Sequence, residues 1–115
     1  MKTYYKIVDV IDGQMKTLYH GNYGSRNLQA KKWLQSRQKP VTYRSGKQFL
    51  SGWHIIPTYE DCLKYLKLFK KLDNKCIVKC KAKNVWPKST DGNIPVFLAE
   101  QIYIESLEIG VFVND

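Results

Sequence analysis

Strand-like alternation runs through most of the chain and is broken by one clear helical period. Residues 3–10 (TYYKIVDV) and 15–19 (MKTLY) are rich in aromatic and β-branched residues. They flank Asp12-Gly13, a dipeptide suited to the positive-φ positions of a tight turn, and so predict an antiparallel hairpin. After GNYGS, Ser25 is placed to cap a helix over 26–37 whose apolar side is Leu28, Ala30, Trp33 and Leu34, with Pro40 ending it. The polar, glycine-punctuated stretch VTYRSGKQFLSG reads as a loop or a short strand. GWHIIP reads as a short buried strand stopped by its proline.

TYEDCLKYLKLFKKLDN has the strongest helical signature. Thr58 is an N-cap, Glu60 and Asp61 occupy the first turn where the helix dipole favours acids, and Lys70 and Lys71 lie near the end. Cys62, Leu63, Leu66, Phe69 and Leu72 form its core stripe. KCIVKCKAK then alternates, with Cys76, Val78, Cys80 and Ala82 on one face and Lys75, Ile77, Lys79, Lys81 and Lys83 on the other. VWPKSTDGNIP reads as a loop, and VFLAEQIYIESLEI as a last long strand with a break near Ser106. These elements predict an α+β fold: residues 1–115 form a single small domain, a mostly antiparallel β-sheet packed by two helices.

Composition fits that size. With 43% apolar residues in 115, the chain can bury a modest core without metal or disulfide support. No apolar run approaches the 18 or so residues that span a bilayer, and the N-terminus lacks the apolar stretch of a signal peptide, so a cytoplasmic location is expected. Cys62, Cys76 and Cys80 are odd in number. On a shared strand face Cys76 and Cys80 would lie about 13 Å apart, too far for a disulfide. All three are expected as reduced, mostly buried thiols, and no structural zinc site is expected.

Charge changes the picture more. The net charge is +9, and it is segregated. Residues 13–59 contain Lys16, Arg26, Lys31, Lys32, Arg37, Lys39, Arg44 and Lys47 and no acid, whereas residues 99–115 contain Glu100, Glu105, Glu108 and Asp115 and no base. Such a dipole steers the molecule toward an anionic partner. Nucleic acid fits best: Arg26, Lys31, Lys32, Arg37, Lys39, Arg44 and Lys47 would meet phosphates, and Tyr23 and Tyr43, in glycine-rich and polar contexts, would offer stacking rings. Trp33, Phe49 and Trp53 could add rings, although the tryptophans also suit a core. RNP, KH, zinc-finger and helix-turn-helix signatures are absent. The lysine strand 75–83 would assist. An acidic host protein would meet the same segment.

Familiar catalytic signatures are absent as well: there is no P-loop, GxGxxG, GxSxG or HExxH. The expectation is binding without catalysis and without a cofactor. One enzymatic alternative rests on LYHG, GWHIIPTYEDCLKYL and VFLAEQIYI, whose order resembles the ADP-ribosyltransferase fold. That resemblance implies NAD binding, with His20 gripping the nicotinamide ribose, Tyr65 stacking on the nicotinamide and Glu100 orienting the reacting ribose. The chain departs from the pattern at His54, where an aromatic residue is expected. A resemblance covering more of the chain is carried by YYKIVDV, YRSGK, GWHIIPTYEDCLKYL and CIVKCKAK, which are similar to small accessory proteins of phages and mobile elements. It implies a viral or mobile-element context, and no particular reaction.

Overall fold

In a computed structural model, the fold is described for residues 2–18, 26–38, 40–42, 46, 48–69, 73–88 and 93–109. The first hairpin forms as its turn chemistry requires. Strand β1 (Thr3–Ile11) pairs antiparallel with β2 (Gln14–Lys16), and the intervening Asp12 and Gly13 have φ of 52° and 76°. Both central residues of a type I′ turn need positive φ, which glycine and aspartate tolerate.

The expected helix over 26–37 is instead two short strands, β3 (Asn27–Leu28) and β4 (Trp33–Gln35), joined by a turn in which Lys31 has φ 63°. In a helix, Leu28 and Leu34 would have lain about 120° apart, which is a poor stripe. As strands, both reach the same core cluster. β4 also covers an edge of the final strand, with Trp33 opposite Tyr103 and Leu34 opposite Ile102. Pairing an open edge outweighs a weak local propensity.

The segment read as a loop or short strand holds a small separate hairpin, β5 (Pro40–Thr42) with β6 (Gln48–Leu50). β7 (Trp53–Ile55) follows. Helix α1 (Tyr59–Leu66) begins where Thr58 accepts a hydrogen bond from the Asp61 amide at 3.1 Å. It is eight residues long, shorter than its pattern implied. The chain then tightens, with Leu68 and Phe69 donating to the carbonyls three residues earlier, and Leu68 is exposed.

Two long strands complete the sheet, β8 (Lys75–Pro87) and β9 (Phe97–Ile109). Their pairing shifts register on either side of the Val78–Lys79 pairs, where β9 bulges near Ser106. The sheet order is β3-β2-β1-β8-β9-β4, and β7 also pairs with β9. Just beyond β7, Ile56 exchanges backbone hydrogen bonds with Tyr5, both 2.8 Å, bringing the chain back to β1. The fold is therefore a nearly closed, barrel-like antiparallel sheet with one short helix among the described residues, and the α+β reading with two packed helices is corrected.

Alternation places two cores on opposite faces of the β1–β8 pair. Val8, Val78, Cys76 and Cys80 point into the barrel with Trp53, Ile55 and Ile104. Ile7 and Ile77, directly opposite one another, pack outward against Cys62 and Leu66 of α1. Burying both faces of one strand pair accounts for its long apolar run. The three cysteines are buried and free. Burial pushes the Cys62 and Cys80 thiols up to about 12 and raises Cys76 as well.

Candidate functional site

A cavity of about 370 Å³ is lined by residues of β1 and β7 and of the segments next to them. Its lining collects basic and polar groups from distant parts of the chain. Lys6 comes from β1, Arg26 from the residue before β3, Ser36 and Arg37 from the end of β4, His54 from β7 and Lys88 from the end of β8. No carboxylate is found among its described lining residues.

Lys6 is the least expected member. On β1 it is in phase with Tyr4, Val8 and Val10, the side that faces the core, and it sits opposite Val78. Only 8% of it is exposed. Its ammonium donates to the His54 carbonyl at 3.0 Å and lies 5.7 Å from the centre of the Trp53 ring. Burial lowers its pKa from 10.5 to about 8, partly opposed by the nearby Cys80 and Cys62 sulfurs. Transfer of an ammonium from water to such a site is costly unless acceptors or anions surround it.

Trp53 anchors the wall between the cations. Its indole nitrogen donates to the Leu34 carbonyl at 2.9 Å, and the Arg26 guanidinium stacks over the ring at 4.8 Å. Arg26 also reaches the Gln35 carbonyl at 3.4 Å. Its pKa is lowered, first by burial and then by the like charge of Arg37. Lys88 Nζ lies 3.1 Å from His54 Nε2. Ser36 is buried and its hydroxyl has no hydrogen-bond partner. Tyr65 of α1 lines the cavity and meets Phe69 edge-on at 5.6 Å.

Of the phosphate contacts expected from sequence, Arg26 and Arg37 reach this cavity. Lys31 and Lys32 are exposed on the β3–β4 turn outside it. Tyr23, Lys39, Tyr43, Arg44 and Lys47 lie outside the described residues, as does His20. Of the NAD-binding alternative, Tyr65 is in the lining. Glu100 is not, and its carboxylate instead accepts from Asn84 at 2.6 Å and from Gln35 at 3.4 Å. Trp53 serves as a buried anchor, while Trp33 packs on Tyr103 under Lys83, whose ammonium is 4.0 Å from the Trp33 ring. The lysine strand is engaged in other ways too: Lys75 pairs with Asp9 at 2.8 Å and Lys81 with Glu105 at 3.2 Å.

Lys6, Ser36 and Lys88 escaped the sequence reading, which noted His54 only where the ADP-ribosyltransferase pattern expects an aromatic residue. Only Lys6 left a signal there, as a lysine standing at a core-facing position of an alternating strand. The described residues contain no group of three metal-ligating side chains and no helix long and apolar enough to cross a membrane. Comparison with protein-family models, curated proteins and solved structures finds no match, so the reading of the cavity rests on its own residues.

Proposed function

We propose that the protein binds an anionic partner, nucleic acid, without catalysis, and that the basic cavity beside Trp53 is where the partner is held. The observation that carries this reading is the pairing of Lys6 with Arg26 about one tryptophan ring: two cations face a cavity whose described lining holds no carboxylate. Cations that converge without acids are stabilised when an anion arrives, and a low-dielectric wall strengthens that attraction. The acid-free segment 13–59 supplies Arg26 and Arg37, which extends the positive field beyond the cavity. Three free thiols suit a reducing compartment, and the cytoplasm is the location that goes with this role. The resemblance to phage and mobile-element accessory proteins makes phage or host nucleic acid the expected partner.

Titration of the intrinsic tryptophan fluorescence with short single-stranded RNA and DNA at several salt concentrations tests the reading. The expected result is binding whose logarithm falls with the logarithm of salt, by about 0.7 for each phosphate neutralised. Changing Arg26 and Arg37 together to glutamine should weaken it at least about 10-fold, the loss of two charge-assisted contacts. Absence of binding, or binding indifferent to salt and to this double change, would overturn it and leave an acidic protein as the partner to seek.

A further inference from the structure

We propose that the cavity receives a phosphate monoester, the group carried by a nucleoside monophosphate or by the phosphorylated end of a strand, held by Lys6, Arg26 and the Ser36 hydroxyl. This rests on the reading of the cavity as the anion site and adds the kind of phosphate that it takes.

Charge is the first reason. Neither Lys6 nor Arg26 has a carboxylate partner among the described residues; their polar contacts are backbone carbonyls, His54 for one and Gln35 for the other. A phosphodiester within a strand carries one negative charge. A monoester carries about 1.5 to 2 near pH 7, which matches two uncompensated cations.

Hydrogen bonding is the second. An ammonium has three N–H donors and Lys6 uses one on His54, so a group that is 8% exposed keeps a surplus. Ser36, also 8% exposed, lines the same cavity with its Oγ unpartnered. Buried polar groups in native proteins are nearly always satisfied, so exceptions call for an explanation. A terminal phosphate presents three acceptor oxygens, one more than a diester offers in non-bridging positions, which suits a site with several unused donors.

Size is the third. About 370 Å³ lies at the small end of ligand cavities. It has room for one phosphate and the sugar or base attached to it.

The test compares four probes: adenosine 5′-monophosphate, adenosine, and one short oligonucleotide with either a 5′-phosphate or a 5′-hydroxyl. Binding of adenosine monophosphate but not adenosine, with the phosphorylated strand at least about 10-fold tighter than its hydroxyl twin, is the expected result. The preference should vanish in Lys6→Met and fall several-fold in Ser36→Ala. Should Lys6→Met fail to fold, Arg26→Gln carries the same comparison, because Arg26 lies partly in solvent. Binding of the monophosphate while both strands stay silent would uphold the monoester site and remove nucleic acid as its source. Equal binding of the two strands, or a preference that survives these substitutions, would overturn the monoester site and leave nucleic-acid binding standing. Silence from every phosphate-bearing probe would remove both.

Discussion

Lys6 Nζ and the carbonyl oxygen of His54 are 3.0 Å apart, and that contact joins a core-facing lysine of β1 to the strand that brings the barrel round to it. A buried ammonium held by one carbonyl is a poor choice for stability. It makes sense where a ligand supplies the missing charge, and it separates what stabilises the fold from what equips the cavity.

Lys6→Met should therefore stabilise the ligand-free protein. The drop from 10.5 to about 8 corresponds to a burial cost of about 3 kcal/mol. Against this stands the lost hydrogen bond to His54, about 1 to 2 kcal/mol. A net gain of about 1 to 2 kcal/mol at pH 7 is expected in urea unfolding. A loss of stability would mean that Lys6 is structurally required.

The pH dependence of unfolding should show two opposed groups. Lys6 faces the His54 carbonyl, Trp53 and the Cys62 and Cys80 thiols. Its folded pKa is lowered, so its penalty is fully present below pH 8 and is relieved as pH rises from about 8 to 10.5. The two thiols have folded pKa values raised from 9.0 to about 12. Their contribution is fully present below pH 9 and is lost above it, as the unfolded chain ionises first. Each group changes stability by about 1.4 kcal/mol per pH unit in its window. Stability should climb from pH 8 to 9 and decline beyond, and in Lys6→Met the climb should be missing.

Gly52 should not tolerate a side chain. A Cβ there would lie 2.8 Å from the Ala99 carbonyl oxygen and 3.1 Å from the Trp86 ring, where β7 starts against β9. Backbone and a large ring yield little, so Gly52→Ala should cost about 2 to 3 kcal/mol. A thermal melt would register this as a fall in Tm, with the secondary structure unchanged at low temperature.

Thr58→Ala removes the side-chain acceptor for the Asp61 amide and should cost about 1 kcal/mol. Because α1 covers Ile7 and Ile77 through Cys62 and Leu66, exchange protection of their amides should fall with it. Unchanged protection on those strands would mean that the sheet is held independently of the helix.

The sequence announced elements whose cause is local. Asp12-Gly13 carries its turn in its own backbone freedom, Thr58 its cap, and the period of Cys62, Leu63 and Leu66 its helix. What was illegible depends on partners far along the chain. Residues 26–37 are strands because β9 offers an edge to Trp33 and a core to Leu28 and Leu34. The cavity was hidden for the same reason, since Lys6, Ser36 and Lys88 meet only when the sheet curls. Charge segregation pointed to Arg26 and Arg37 and was blind to a lone lysine inside β1.

β9 pairs with β8, β7 and β4, and it follows all three in the chain. The pairings with β7 and β4 are sequence-distant and make folding slow, because large loops must close before those contacts reward them. During synthesis the earlier strands wait with open edges until residues 97–109 leave the ribosome. The basic cavity is consequently among the last features to form, and a ribosome stalled before β9 would display the basic residues without the pocket that organises them.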